Sequence, residues 1–381
     1  MKKRTLIMIA AILLAVAVLV LVVLLNAPKT GKDETAQPTD VPAETQQTDA
    51  SAQPAATSES KTLVVYNWYD YIDESVLEDF EKEYGIKVEY TMFTTVEEMY
   101  TKMTQGGGKY DIIVPSDYII ERLIKDGMLT AMDFEKMPNA KANLLSWMWE
   151  ADYDKGNLFS VPYMWGTVGI LYNKEMTGGD ITSWSSLFDS KYQNNVFMLD
   201  SIRDTMGITL KYLGYNLNER SEEALAKVRD LLIKQKRDGI VQGYLVDEVK
   251  DKMVGDEAAL AVMWSGDAMY AIEDNENLAY CVPKEGSNVW IDALCIPKTS
   301  ENAEAAMKFI DFMCRPDIAQ RNYDYIHYCS PIQQVVDGLS EEEKANPAVN
   351  PDSEVLARCD FFHDIMDYMD VYNKYWTEIG A

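Results

Sequence analysis

The chain has 381 residues, a formal net charge of -27 at pH 7 and a hydrophobic fraction of 47%. This excess of negative charge makes nucleic acid and anionic lipid headgroups poor partners and favours cations as ligands. With two histidines and five cysteines that show no close CxxC spacing, neither a zinc site, a His-based metal site nor a Ser-His-Asp triad is expected.

The first predicted element is an apolar, uncharged run from Leu6 to Leu25, which follows the basic start "MKKR". A run of this length can span a bilayer as a helix, and the basic residues before it favour a cytoplasmic N-terminus. A cleaved signal peptide is the alternative, although its apolar core is normally shorter and Pro28 follows the best small-residue site, Ala27. Residues 1–27 are therefore expected to be a membrane anchor or signal peptide, with the rest of the chain outside the cytoplasm.

Residues 28–60 are rich in Thr, Ala, Gln, Pro and acidic residues and contain hardly any large apolar side chain. Such a segment cannot bury enough apolar surface to offset its ordering entropy, so it is expected to be a disordered tether. The remaining stretch of about 320 residues is too long to fold around one ordinary hydrophobic core and is expected to form two domains. The exported part is thus expected to be tethered to the outer face of the cell membrane, or periplasmic if the N-terminal segment is cleaved.

The exported part begins with alternating strand and helix patterns. The strand-like runs "TLVVYN", "IKVEYTMF" and "YDIIVPS" alternate with the helix patterns "ESVLEDFEKEYG", "VEEMYTKMTQ" and "DYIIERLIKDG". Gly85 is expected to end the first helix, and Thr94 or Thr95 to cap the second. This order predicts a parallel sheet with right-handed crossovers.

A second set of elements follows "FSVPYMWG". Strand patterns occur at "VGILYN", "NNVFMLDS", "AALAVMWSG" and "NVWIDALCIP", and helix patterns at "RDTMGITLKYLG" and "SEEALAKVRDLLIKQKRDG". Near the C-terminus, a helix over "AEAAMKFIDFM" is expected to stop before Pro316, and a last helical segment surrounds "FFHDIMDYMDVYNKYW". Together with the first set, these elements predict an α/β protein.

Aromatic and acidic side chains recur where the predicted strands end, as in "YNWYDY" after the first strand. Aromatic residues near one strand end are usually ordinary core. Ligands of open α/β sheets, however, bind beyond the carboxyl ends of the strands, so the repeated pattern predicts a cleft lined by rings and acids. The residues at these strand ends are Trp68, Tyr69, Asp70, Tyr71, Ser116, Asp117, Tyr118, Asp200, Ser201, Arg203, Asp204, Trp264, Asp267, Trp290, Asp292 and Tyr328.

Such a lining suits an aliphatic cation. Its methylenes fit an apolar slot, and its ammonium ends bind carboxylates and ring faces. Burying four methylenes is worth roughly 3 kcal/mol, and a desolvated cation–π contact adds on the order of 2 kcal/mol. Because a buried acid without a partner is costly, the acids indicate a cationic ligand.

The motifs "VVYNWYDYI", "YDIIVPSDY", "SVPYMWGTVGI", "SWSSLFDSKY", "VMWSGDA" and "VWIDALCIP" resemble those of the polyamine-binding (spermidine/putrescine) proteins of ABC transporters. The resemblance implies a two-lobed, periplasmic-binding-protein-like α/β fold of type II. Each lobe would be a mixed, mainly parallel sheet flanked by helices, and hinge strands would join the lobes. The implied division places lobe one at 61–166 and 292–337, and lobe two at 167–291 and 338–381.

The resemblance also implies which residues bind the ligand. Asp204 and Asp292 correspond to amine-binding acids of the family, and Asp70 and Asp267 match acids of its putrescine-type members. The chain departs from spermidine-type members at Ser201, where they tend to carry an acid, and at Tyr69, where they have a small hydroxyl residue. A family glutamine near the C-terminus has no clear counterpart here. The implied ligand-binding residues are Trp68, Tyr69, Asp70, Tyr71, Ser116, Tyr118, Ser201, Asp204, Trp264, Asp267, Trp290, Asp292 and Tyr328.

Three neighbouring residues are assigned other roles. Asp200 is expected to cap or orient the helix that follows it, and Arg203 to pair with a nearby acid. Asp117 can act either as a helix N-cap or as a wall of the pocket.

The leading functional hypothesis is a monomeric, non-enzymatic receptor that captures a polyamine and delivers it to the permease subunits of an ABC transporter. No cofactor, metal or nucleic acid is expected, and membrane contact is expected only through the N-terminal segment. One alternative is a receptor of the same fold for another small ligand. The other is a surface-anchored hydrolase that uses paired acids such as Asp204 and Asp292.

Overall fold

The computed structural model describes residues 62–106 and 108–380. The predicted anchor, 1–27, and tether, 28–60, lie outside the described residues. Within the described ranges, no helix has both the length and the apolar character needed to cross a bilayer.

The described residues form strands and helices that alternate along most of the chain. In chain order, strands β1 to β9 are Thr62–Trp68, Lys87–Phe93, Ile112–Ile113, Ser160–Asn173, Val196–Leu199, Val241–Leu245, Leu260–Trp264, Leu278–Cys281 and Val289–Cys295. Helices α1 to α15 are Ser75–Tyr84, Val96–Thr104, Asp117–Lys125, Pro138–Asn143, Lys174–Thr177, Ile202–Tyr212, Glu222–Arg237, Glu248–Val254, Ser265–Asp274, Ala303–Met313, Pro316–Ile326, Gln333–Gly338, Glu341–Ala345, Ser353–Leu356 and Met369–Ile379. Short 3-10 helices lie at Phe134–Lys136, Ser146–Glu150, Trp184–Phe188, Ser190–Tyr192 and Met366–Tyr368.

The strands of the described residues join into one mixed sheet in the order β2-β1-β3-β9-β4-β7-β5-β6, with β8 paired to β4. Strand β1 runs parallel to β2 and β3, which confirms the parallel arrangement predicted for the first three strands. Strand β5 runs parallel to β6 and β7. Strands β9 and β4 are antiparallel to their neighbours, so they separate two parallel halves of the sheet.

Strand β4 belongs to both halves. Its 14 residues are all buried and mostly apolar, which is typical of a strand covered on both faces. Residues 160–167 pair with β9, and residues 168–172 pair with β7. Gly166 lies near the point where the pairing changes, and a Cβ there would lie 2.6 Å from Ser265 Oγ and 2.7 Å from the Trp290 ring. Glycine therefore lets the two halves approach closely at this point.

Apolar side chains pack into separate clusters around the two halves of the sheet. Around β1 to β3, Leu63 and Val65 point into one cluster and Tyr66 into another, as expected when successive side chains alternate between the faces of a strand. Around the other half, Val168 and Leu171 likewise enter different clusters. Each half therefore has a core on both faces, which places the strand ends at the edges of two packed layers.

Several local predictions are confirmed. Gly85 ends α1 with φ 66°, and the Thr95 side chain accepts a hydrogen bond from the Glu98 backbone N–H, so Thr95 rather than Thr94 caps α2. Helix α10 stops at Met313, before Pro316.

Other elements differ from the prediction or were missed. The run "YDIIVPS" contributes only Ile112–Ile113 to the sheet. Strands β6 and β8 and helix α8 were not predicted, because they are too short for their patterns to be distinctive.

Candidate ligand-binding site

Asp292 lies in the middle of β9, beside Ser116 at the end of the β3 segment. Its side chain is buried, with 6% of the residue exposed. The Ser116 hydroxyl donates to Oδ1 at 2.6 Å, and the Tyr71 hydroxyl donates to Oδ2 at 3.1 Å. Burial raises the pKa of Asp292 to about 7, although both hydroxyl donors lower it. Within the described part of the chain, no lysine, arginine or histidine forms an ion pair with this carboxylate.

Three rings form a continuous series next to Asp292. The Tyr71 and Tyr328 ring centroids lie 5.8 Å apart, and those of Tyr328 and Trp290 lie 4.9 Å apart, all in edge-to-face contact. Tyr328 also packs on Gly266, where a Cβ would lie 2.4 Å from the tyrosine ring. The series brings together side chains from β9, from the turn after β1 and from the segment after α11.

Asp267 lies in the first turn of α9 and continues this series. Its Oδ2 accepts a hydrogen bond from the Tyr328 hydroxyl at 3.1 Å, and its Oδ1 lies 3.1 Å from Lys250 Nζ. Burial raises the pKa of Asp267, while the Lys250 ammonium lowers it. Lys250 was not predicted as a site residue, because nothing in the charged run around it marks one lysine as facing the site.

Asp204 lies in the first turn of α6, next to its N-cap residue Ser201. The Ser201 hydroxyl donates to Asp204 Oδ2 at 2.7 Å and accepts from the Asp204 backbone N–H at 3.4 Å. Burial raises the pKa of Asp204 to about 6, against hydrogen bonds from Ser201, Trp264 and Asn288 and the charge of Arg203. Ser201 therefore orients the acid, and the exposed Asp200 does not cap the helix.

Arg203 is buried but does not form the ion pair that was expected. Its guanidinium donates to the His363 carbonyl and to Asn218 Oδ1, and it lies 4.3 Å from the Phe362 ring centroid. The Tyr118 ring lies on the same guanidinium at 5.1 Å. The expectation of an Arg203–acid pair is corrected, because Nη1 and Nη2 donate to carbonyl oxygens and ring faces contact the guanidinium instead, while Nε has no hydrogen-bond partner among the described residues.

The first turn of α3 supplies two of the candidate residues. Asp117 is buried, and its Oδ1 accepts from the Tyr118 backbone N–H at 2.7 Å, while its Oδ2 has no hydrogen-bond partner in the part of the chain that the structure describes. Ser116, not Asp117, is the N-cap residue of α3, so the N-cap role considered for Asp117 is wrong. Burial raises the pKa of Asp117 well above its ordinary value, against the hydrogen bond from Tyr118. The Tyr118 hydroxyl donates to Glu97 at 3.4 Å.

The segment Trp68 to Tyr71 divides between the interior and the surface. Trp68 is half-buried against Phe93, with ring centroids 4.7 Å apart. Tyr69 is 65% exposed, and Asp70, also exposed, accepts a hydrogen bond from the Tyr325 hydroxyl at 2.7 Å. The structure therefore brings Tyr71 to Asp292 but leaves Tyr69 and Asp70 outside the buried cluster.

A separate cavity of about 140 Å³ is lined largely by apolar side chains, among them Leu145, Trp147 and Trp165. None of the predicted ligand-binding residues lines it. Since it offers no carboxylate to a cation, the buried acids and rings define the candidate site.

A family model described as a bacterial extracellular solute-binding protein matches residues 75–351. The chain belongs to the bacterial extracellular solute-binding protein family. The two-lobed, type II periplasmic-binding-protein-like fold predicted for this solute-binding protein is confirmed by its similarity to solved structures of that fold.

Named relatives cover most of this solute-binding protein. The spermidine/putrescine-binding periplasmic protein of Salmonella typhimurium is 32% identical over 329 residues, which are 86% of this chain and 94% of that protein. The putrescine-binding periplasmic protein of Escherichia coli is 30% identical over 347 residues, covering 85% and 92%. The structure of the spermidine/putrescine ABC transporter substrate-binding protein of Streptococcus pneumoniae is 36% identical, with a TM-score of 0.74 and coverage of 84% and 100%.

Proposed function

We propose that this solute-binding protein captures a linear polyamine of the putrescine and spermidine class and delivers it to the permease of an ABC importer. The observation that carries the proposal is Asp292, a desolvated carboxylate held by two neutral hydroxyl donors and flanked by rings. A carboxylate in this setting lacks a positive partner, and a bound ammonium supplies one. The names of the relatives support the same ligand class.

The other side chains suit the rest of a polyamine. Asp204 is a second buried acid with a raised pKa, so a bound cation would stabilise its ionised form as well. The rings of Trp290 and Tyr328 offer apolar surface for methylenes and ring faces for ammonium groups. We propose binding without catalysis, because hydrolysis by Asp204 and Asp292 would require the two carboxyls to flank a scissile bond, and a polyamine has none.

We propose that the binding cleft lies between lobe one, residues 61–166 and 292–337, and lobe two, residues 167–291 and 338–381. The apolar clusters support this division, since two of them centre on β1 to β3 and two on β5 to β7. Strands β4 and β9 would be the hinge strands. We further propose that the protein is a monomer tethered to the outer face of the membrane by its N-terminal segment.

The first test is a calorimetric titration of residues 61–381, which lack the predicted anchor and tether. Putrescine, spermidine, spermine and cadaverine serve as ligands, and a neutral sugar and an amino acid serve as controls. At least one polyamine is expected to bind, and the full chain is expected to bind it equally well, because the tether contributes nothing to the cleft. Binding of a control solute with no response to any polyamine would contradict the proposal.

Closure of the two lobes is a second expected result. Periplasmic binding proteins close around their ligands by hinge motion, so small-angle scattering of the same fragment should show a smaller radius of gyration with bound polyamine. An unchanged radius at saturating ligand would argue against hinge closure of these lobes.

A further inference from the structure

The three acids Asp204, Asp267 and Asp292 differ in what they already bind. Asp204 and Asp292 accept hydrogen bonds from neutral hydroxyl groups. Asp267 is paired with an ammonium of the protein itself, since Lys250 Nζ lies 3.1 Å from Oδ1 while the Tyr328 hydroxyl is bound to Oδ2. Both oxygens of Asp267 are therefore occupied, one of them by a charge of the kind that a polyamine carries.

Lys250 makes the contacts that a ligand ammonium would make. It lies on α8, which packs against α9, the helix that carries Asp267. Its Nζ also lies 5.7 Å from the centroid of the Tyr270 ring, so the ammonium contacts both a carboxylate and a ring face. Burial lowers the pKa of Lys250, but the attraction of Asp267 outweighs it, so the pKa is raised and the ammonium stays charged. The side chain is 29% exposed, which leaves it a route out of the site.

We propose that Lys250 is a specificity-determining residue whose ammonium takes the Asp267 position and leaves Asp204 and Asp292 to the ligand. This inference rests on the proposed polyamine function. A diamine then finds one carboxylate for each of its ammonium groups. The third ammonium of a triamine must either displace Lys250 from Asp267 or remain close to a like charge, and both reduce its affinity.

The alternative is that Lys250 only holds α8 against α9. A structural role of this kind predicts that its removal affects all polyamines alike. If Lys250 occupies a ligand position, its removal should raise the affinity more for ligands with more ammonium groups. The ratio of spermidine affinity to putrescine affinity therefore separates the two roles.

The test is calorimetric titration of the full chain in lipid nanodiscs with putrescine and spermidine. Lys250→Met keeps a long side chain but removes the ammonium, and spermidine affinity is expected to rise at least tenfold relative to putrescine affinity. Lys252→Met is the matched control, because Lys252 lies on the same helix and pairs at 2.8 Å with the exposed Glu257. The control removes the same charge and is expected to change both affinities less than twofold.

A second substitution ties the gain to Asp267. In a chain that carries both Lys250→Met and Asp267→Asn, the relative gain for spermidine should disappear. Lys250→Gln gives the same comparison if the methionine variant does not fold. Equal changes for the two ligands, or weaker binding of both, would overturn the inference while leaving polyamine binding intact. A parent chain that binds neither ligand would overturn the proposed function and this inference with it.

Discussion

Replacing Asp292 by asparagine is expected to weaken polyamine binding by about 2–5 kcal/mol, which corresponds to roughly thirtyfold to several thousandfold in affinity. Asparagine keeps the shape of the side chain and can still exchange hydrogen bonds with Ser116 and Tyr71. It removes the charge, so a bound ammonium is left buried with only neutral partners. Calorimetric titration of the parent and variant measures the loss. Asp152→Asn is the matched control, because that carboxylate is 63% exposed and pairs with Lys155.

The same substitution is expected to stabilise the ligand-free protein at pH 8. Burial raises the pKa of Asp292 to about 7, so the unfolded chain ionises this group before the folded chain does. The free energy of unfolding therefore falls as the pH rises from 4 towards 7. A difference of about three pKa units between the folded and unfolded states corresponds to a loss of roughly 4 kcal/mol. Asparagine avoids this cost. Thermal melts at pH 4 and pH 8 should show a higher melting temperature for the variant than for the parent only at pH 8. In the binding experiment, a variant that bound polyamine as tightly as the parent would show that Asp292 is not part of the site.

The parts of the fold that could be predicted from sequence are those with a strong local signal. The apolar run of β4 and the Gly85 stop of α1 are local patterns, and both occur where they were expected. The meeting of Tyr71, Ser116 and Asp292 was accessible only in part. Tyr71 and Ser116 follow the parallel strands β1 and β3, whose carboxyl ends share an edge of the sheet. Asp292 lies in the middle of β9, which runs antiparallel to β3, so the rule for strand ends does not place it there.

The partners of the site residues could not be predicted in the same way. Lys250 reaches Asp267 from a helix of only 7 residues, and its charged neighbours look alike in the sequence. Arg203 contacts the His363 carbonyl and the Phe362 ring, which are far away in the chain and lie in a segment with no regular structure. Exposure of Tyr69 depends on the turn that carries it, which the alternation of β1 does not specify.

Polyamine binding is expected to weaken about a thousandfold between pH 8 and pH 5, since affinity falls about tenfold for each pH unit below the pKa of each acid that must ionise. Burial raises the pKa of Asp292 to about 7 and that of Asp204 to about 6. At pH 5, protonation of Asp292 therefore lowers the affinity about a hundredfold, and protonation of Asp204 lowers it about another tenfold. The ligand ammonium groups stay charged throughout this range, because alkylamines titrate near pH 10.

Binding should therefore release protons, because a bound diammonium favours the ionised form of both acids. Titrations at pH 6.5 in buffers of different ionisation enthalpy measure that release directly. In Asp292→Asn the affinity loss between pH 8 and pH 5 should shrink to about tenfold, the share that Asp204 contributes. An affinity that stayed constant from pH 8 to pH 5, with no proton released, would mean that neither buried carboxyl meets the ligand charge, and the site would have to lie elsewhere.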